Sequence, residues 1–314
     1  MSTRISRRNL LRTAAAAASA IPLKAVSDPA AGTFALDDEP ANSASGKGRI
    51  LDMHVHFDEK NPNFIPDLMI LAERMNLTAC LLTPYPHRAE VAEAAKKYPT
   101  HIVPFGFIDL DAPDVLAQVK DFHALGYRGL GELEFVKKPY TDPSYMPVYE
   151  LANQYGWIVF FHTGIVLRQK IDQPEDVASY RMRAFHLEEI ARLFPKLTVI
   201  GAHCGNPEYE WAAEVARWNP NIFFDLSGST LTKMSSRLGE FKNIFWWSGQ
   251  GEWKTATPAN DPSAFVKLVF GSDSGLDGIP KVLDQYRALF KACDVPVTTQ
   301  QMILGGTLAS LLGL

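Results

Sequence analysis

Ile50-Leu51-Asp52-Met53-His54-Val55-His56-Phe57 is the stretch that decides the fold of this chain. It is an apolar run broken early by Asp52, and it ends in a His-x-His pair. A helical spacing follows over residues 67–75, so the run opens a strand–helix unit of a parallel sheet covered on both faces. An open doubly wound sheet would carry a Gly-rich phosphate turn after this strand. Two imidazoles stand there instead. His54 and His56 are two residues apart, so an extended backbone points both to one side.

The same unit recurs down the chain. Strands are expected at residues 50–57, 78–85, 102–110, 127–135, 158–164, 197–205, 221–228 and 268–275. Helical spacing is read over residues 67–75, 89–98, 113–125, 146–155, 183–194, 207–218 and 280–292. Eight such units in about 265 residues predict an α/β chain closed as a (β/α)8 TIM barrel over residues 49–314. No repeat at a solenoid period competes with it. The connection over residues 230–265 is long and holds Trp246, Trp247, Gly249, Gly251 and Trp253. Following a barrel strand, it must hang over the active face, as a substrate lid or a packed insertion.

The start of the chain has a different character. Ser6-Arg7-Arg8-Asn9-Leu10-Leu11-Arg12 precedes an alanine-rich run from Thr13 to Ile21, too short and too mildly apolar to span a membrane. The layout resembles a twin-arginine export signal, which implies that residues 1–26 are a signal peptide and that the protein is periplasmic or secreted. Its partner would then be the twin-arginine machinery, with no stable membrane insertion. Residues 27–48 read as a flexible linker rich in Ala, Ser, Gly, Asp and Pro. The first 26 residues hold five basic and no acidic side chains, so the remainder carries 26 basic against 35 acidic residues, a formal charge of −9. That balance disfavours nucleic acid as a partner. Cys80, Cys204 and Cys293 lie far apart and are expected to be reduced and mostly buried.

The chemistry is expected at the strand ends. His162 closes the fifth strand in Val159-Phe160-Phe161-His162, His203 the sixth in Val199-Ile200-Gly201-Ala202-His203, and Asp273 the eighth in Val269-Phe270-Gly271-Ser272-Asp273. An uncompensated polar group in such a place is costly to bury. Convergence on one cation explains His54, His56, His162, His203 and Asp273 together, since imidazole and carboxylate suit zinc, manganese or iron. Active sites of this fold gather at that face. Glu132, in Gly131-Glu132-Leu133 at the end of the fourth strand, is expected either to bridge or support metal or to bind substrate. Asp52 is expected on the same face as His54, deeper in the barrel, orienting a histidine. His87, His101, His123 and His186 lack a matching placement.

At these residues the chain resembles the amidohydrolase superfamily, in its amidohydrolase-2 branch, from about Arg49 to Leu314. The resemblance runs through 51–57, Phe185-His186-Leu187, Phe194-Pro195-Lys196-Leu197-Thr198-Val199, Phe223-Phe224-Asp225-Leu226-Ser227-Gly228, Phe270-Gly271-Ser272-Asp273 and the closing Ile303-Leu304-Gly305-Gly306-Thr307. Thr307 stands where many members have asparagine, which bears on a helix-cap contact. The Glu132 position looks like the glutamate of binuclear relatives, including TatD-like nucleases. The resemblance implies a divalent metal, zinc first and manganese second, and a small-molecule substrate. It implies a hydrolase of a small ester, lactone or amide, in which metal-activated water attacks, Asp273 moves the proton and His203 or the metal polarises the carbonyl. Arg168, just after the fifth strand, is expected either to anchor a substrate carboxylate or to be a solvated loop arginine. The alternatives are a non-oxidative decarboxylase of a small aromatic or unsaturated acid using the same ligands, and a non-catalytic ligand-binding barrel. Barrels of this kind often pair, so a homodimer is a further expectation.

Overall fold

A computed structural model describes residues 48–168, 178–245 and 262–314. The expected signal peptide, all of the expected linker except Gly48, and the tryptophans of the long connection lie outside the described residues. No helix among the described residues is long and apolar enough to cross a membrane.

Among the described residues, seven strands form one parallel sheet in chain order: β1 (Ile50–His56), β2 (Leu77–Pro84), β3 (Ile102–Phe107), β4 (Gly129–Leu133), β5 (Ile158–Phe161), β6 (Thr198–Gly201) and β7 (Ile222–Phe224). Helices α1 (Phe64–Met75), α2 (Arg88–Lys97), α3 (Val115–Ala124), α4 (Met146–Gln154), α5 (His186–Leu193) and α6 (Tyr209–Trp218) alternate with them. The connection after β7 begins with two short helices, α7 (Thr230–Lys233) and α8 (Phe241–Ile244). Helix α9 (Ile279–Ala292) then buries Ile279, Leu283, Tyr286 and Phe290, a stripe at helical spacing that faces the sheet.

The eighth expected strand is shorter than its sequence pattern. Leu268 makes a single bridge to Phe224 rather than a ladder. The segment still joins both sheet edges. Val269 N–H donates to Phe224 O, and Met53 N–H donates to Phe270 O, each at 2.9 Å. Asp273 N–H reaches His54 O at 2.9 Å. Extended structure stops at Asp273, whose φ of 47° is left-handed. Residues 268–273 thus close a (β/α)8 barrel with very little regular strand. Lys267 fastens this closing segment from below. Its buried Nζ donates to Asn219 O at 3.0 Å, Pro220 O at 2.9 Å and Ile222 O at 3.3 Å. Charged hydrogen bonds of this kind contribute about 1.5–3 kcal/mol each.

Two buried clusters define the layers. The larger lies between sheet and helices and holds Leu81, Val159 and Phe224 with Leu68, Val148 and Leu283. The smaller fills the barrel with Leu82, Phe105, Phe160, Ile200 and Val269. At its lower end it takes in Leu308 and Leu312 from the last helix, α11 (Thr307–Leu312). Helix α11 continues α10 (Val297–Gln301) through a π-turn at Met302–Gly306. Among the described residues, Thr307 Oγ1 is buried with no hydrogen-bond partner. All three cysteines are free and buried, as expected.

The two clusters also fix which way β1 faces. Leu51 and Met53 pack inside the barrel, whereas Val55 and Phe57 pack under the helices. Strict alternation would put all four on one side. The change of side falls where the β1–β2 ladder shifts register, between Asp52 and Val55. This bulge turns His54 and His56 inward and leaves Asp52 on the opposite side.

Candidate metal centre

The six candidate ligands reach one place by different backbone routes. His162 continues the inward series Ile158, Phe160. Asp273 continues the inward parity of Val269 and ends in the left-handed turn. Glu132 depends on an irregularity in β4. Leu130 and Leu133 both pack under the helices, three residues apart, and the β4–β5 ladder shifts between them. Gly131 makes this possible: φ is 132°, and a Cβ there would stand 2.3 Å from Phe160 O. His203 would point outward with Val199. It turns inward because His203 and Cys204 take φ values of 61° and 48°. Left-handed non-glycine residues cost about 1–3 kcal/mol each and concentrate where function holds them.

The resulting geometry has two halves. His54 Nε2 lies 3.1 Å from His56 Nε2, 3.0 Å from Glu132 Oε2 and 3.5 Å from Asp273 Oδ1. His56 Nε2 is 3.4 Å from Glu132 Oε2 and 3.8 Å from Asp273 Oδ1. On the other side, Glu132 Oε1 is 3.0 Å from His162 Nδ1 and 3.5 Å from His203 Nε2, and Asp273 Oδ2 is 3.9 Å from His203 Nε2. The two carboxylates therefore each turn one oxygen to His54 and His56 and the other toward His203. Ligand atoms of His54, His56 and Glu132 lie within 4.8 Å of one another, as do those of His54, His203 and Asp273, and of Glu132, His162 and His203. Among the described residues, His162 Nε2 is buried without a hydrogen-bond partner. Imidazoles and carboxylates at these separations, with a buried ring nitrogen left over, form a donor set suited to divalent cations.

The electrostatics follow from burial among opposite charges. Burial alone would push the His54 imidazolium down, but Glu132 and Asp273 outweigh it and hold the ring well above its usual value of 6.5. His203 is also raised, burial being outweighed by its contact with Glu132. Glu132 lies well below its usual 4.5, because His54 and the other imidazoles overcome burial. Glu134, just past β4, is pushed up to about 8 by burial and by the Glu132 charge.

Asp52, expected to orient a histidine ring, makes its hydrogen bonds to backbone instead. Asp52 Oδ1 accepts the backbone N–H groups of His54, at 3.0 Å, and Ser272, at 2.9 Å, tying β1 to the closing segment without touching a ring. Burial raises it to about 7. The carboxylate beside the ligand rings is Asp225, fully buried just after β7. Its Oδ2 lies 3.1 Å from His54 Nδ1, and its Oδ1 accepts His203 N–H at 2.7 Å. The only available signal was Asp225-Leu226-Ser227-Gly228 at a strand end, the placement used to choose Asp273.

A cleft of about 720 Å3 opens beside the centre, lined by His56, Phe57, Phe64, Asp273 and Asp277 among others. No lysine or arginine among the described residues lines it. Arg168, expected as a carboxylate anchor, is exposed in the segment after β5 and does not line this cleft. His87 pairs with Glu59 and Glu90, His101 with Leu77 O, His123 with the Tyr155 ring, and His186 with Thr141 and Tyr180 O. None of the four enters the centre.

Gly228 gives a direct test of how closely the centre is packed. Its φ is 61°, and a Cβ would stand 2.9 Å from His203 Nδ1 and 3.1 Å from Asp273 Oδ2. Gly228→Ala should lower kcat by about tenfold to a hundredfold through displacement of these two groups. The left-handed φ should add about 1–2 kcal/mol of backbone strain. Steady-state kinetics beside thermal melting check this; a normal kcat would show that the packing tolerates the methyl group.

The family model Amidohydro_2, described as amidohydrolase, matches residues 83–314. Strand β1, with His54 and His56, precedes the matched span. No curated protein matches the chain. Among solved structures, an uncharacterised TIM-barrel protein from Bordetella bronchiseptica superposes with a TM-score of 0.58 at 17% identity, over 84% of this chain and 98% of that one. The 2,6-dihydroxybenzoate decarboxylase from Rhizobium gives 0.54 at 14% identity, over 85% and 98%. A protein described as probable 2-pyrone-4,6-dicarboxylic acid hydrolase from Acinetobacter baumannii, with citric acid bound, gives 0.54 at 15%, over 85% and 100%. At these identities the likeness is one of fold.

Proposed function

The chain belongs to the amidohydrolase family, and from that premise we propose that it is a metal-dependent hydrolase of a small ester, lactone or amide. The observation that carries this reading is the division of the centre by Glu132. Its Oε2 faces His54 and His56, and its Oε1 faces His162 and His203. Such a set would hold two divalent cations, with Glu132 between them; zinc suits the donors best and manganese second. Bound there, the cations supply Lewis acidity and water of lowered pKa. Asp273 takes the proton of the attacking water and returns it to the leaving group. Its side chain is 31% exposed, against 4% for Glu132, so it is the carboxylate of the centre that the cleft reaches. His203 turns Nδ1 to Ser227 and Nε2 to the carboxylates, which supports a ligand role over carbonyl polarisation.

The decarboxylase reading uses the same ligands and needs a cation-lined pocket for an acid substrate. A cleft with Asp58, Asp67, Asp273 and Asp277 in its walls, and no lysine or arginine among the described residues that line it, favours hydrolysis of a neutral carbonyl compound. Two measurements test the proposal. Protein purified without a metal-binding tag should contain about two equivalents of divalent metal; less than about a tenth of an equivalent removes the premise. Given esters, lactones, amides and aromatic acids, the loaded protein should yield ring-opened or cleaved acids. Carbon dioxide as product would transfer the assignment to decarboxylation. Export by the twin-arginine route remains part of the proposal, supported by Arg7-Arg8 and the alanine-rich run behind them.

A further inference from the structure

Ser227 Oγ touches three groups of the centre at once. It lies 2.6 Å from Asp225 Oδ1, 2.9 Å from His203 Nδ1 and 3.1 Å from His54 Nδ1. The hydroxyl has one proton. An ionised Asp225 only accepts, so at 2.6 Å the Ser227 hydroxyl donates its hydrogen to it. The Ser227 oxygen is then left as an acceptor toward both rings. His203 Nδ1 faces this acceptor, so it must carry a hydrogen. His54 Nδ1 faces two acceptors, Ser227 Oγ and Asp225 Oδ2, the latter at 3.1 Å, so it must carry one as well. Both rings are thereby left with Nε2 directed at Glu132 and Asp273.

We propose that Asp225 and Ser227 are a shared positioning pair that sets one tautomer on His54 and on His203, and so arms both halves of the centre from a single carboxylate. The inference rests on the metal-centre reading above and adds to it two residues that touch neither metal nor substrate. Burial makes the pair effective. Asp225 and His54 are fully buried and Ser227 is 1% exposed, so no bulk water competes for these hydrogen bonds. Asp225 is itself fixed by the N–H groups of His203, at 2.7 Å, and Ser227, at 2.9 Å. The same carboxylate therefore sets the left-handed turn that swings His203 inward and the proton that orients its ring.

The pair is asymmetric, which makes the inference testable. His203 depends on Ser227 alone, whereas His54 has Asp225 as a second acceptor. Ser227→Ala should therefore weaken one of two cations by about tenfold to a hundredfold and leave the other near its normal affinity. Asp225→Asn should weaken both. Wherever its amide nitrogen falls, it meets donors: His54 Nδ1–H on one side, or the N–H groups of His203 and Ser227 on the other. Ser227→Thr keeps the hydroxyl and should recover the lost affinity. A second readout is independent of activity. In zinc-loaded protein labelled with 15N-histidine, both Nδ1 protons should resist exchange with water. Ser227→Ala should lose the protection of His203 and keep that of His54, with thermal melting confirming that each variant is folded. Wild-type protein that binds no metal would sink the underlying reading. Wild-type protein that binds two cations, with Ser227→Ala unchanged in affinity and in Nδ1–H exchange, would overturn this inference alone.

Discussion

Replacing Asp273 by asparagine should lower kcat/KM by about a thousandfold or more, the loss expected when a proton-transfer group that also helps to hold metal is removed. The metal-free protein should stay folded and lose less stability than Glu132→Gln, because Asp273 is the more exposed of the two carboxylates. Asparagine keeps the size of the side chain, and it tolerates the left-handed φ of 47° that this position requires. The backbone bond from residue 273 N–H to His54 O, at 2.9 Å, survives the change. What is lost is a negative charge 3.5 Å from His54 Nε2 and 3.8 Å from His56 Nε2, at the mouth of the cleft. Asp273→Glu should fail nearly as badly, because one added methylene displaces the carboxylate relative to His54, His56 and His203. Kinetics on the best hydrolysed substrate, with metal content measured in parallel, decide the matter. An asparagine variant that keeps full activity would show that Asp273 is not the group that moves the proton.

Why Asp273 was legible while other parts of the centre were hidden follows from the backbone. Apolar runs alternating with helical stretches announce a parallel barrel, and a polar residue that ends such a run is conspicuous. His162 and Asp273 needed nothing more, since each keeps the inward parity of its strand. His54 and His56 were recognised by their own spacing, but the bulge ahead of them was invisible, and it moved Asp52 to the other side. Glu132 and His203 face the centre against the alternation of their strands, through Gly131 and through a left-handed turn at His203 and Cys204. No hydropathy pattern encodes those turns. The eighth strand was read as longer than it is, because an apolar run at Leu268–Phe270 specifies burial without specifying a ladder. Asp225 ends an apolar run as Asp273 does, yet it faces the His54 Nδ1 from behind. Residue type and position alone did not separate a ligand from the group that holds a ligand.

Glu132→Gln should have the largest effect on the centre as a whole. Every partner of the Glu132 side chain is an imidazole: His54, His56, His162 and His203. Breaking a buried pair on one side costs about 3–5 kcal/mol. Applied to cation binding, that is about a thousandfold loss of affinity, and it should strike both halves because each uses one Glu132 oxygen. The charge also governs how the metal-free protein responds to pH. Glu132 is held below 4.5, so its contribution to stability is complete above 4.5 and is lost as pH falls through the lowered folded value. His54 and His203 are held above 6.5, so theirs is complete below 6.5 and is lost as pH rises through the raised folded values. These three groups therefore make the metal-free protein most stable between 4.5 and 6.5 and weaken it as the solution turns alkaline. Divalent cations act in the opposite sense. They compete with protons for the same nitrogens, so metal affinity climbs over the range in which metal-free stability declines. In Glu132→Gln the main cause of the raised histidines is gone, and both slopes should flatten together. Melting curves of chelated and zinc-loaded protein across pH 5 to about 9, wild type beside Glu132→Gln, read this directly. If the glutamine variant keeps its metal and the wild-type slopes, Glu132 is not the group that organises the centre.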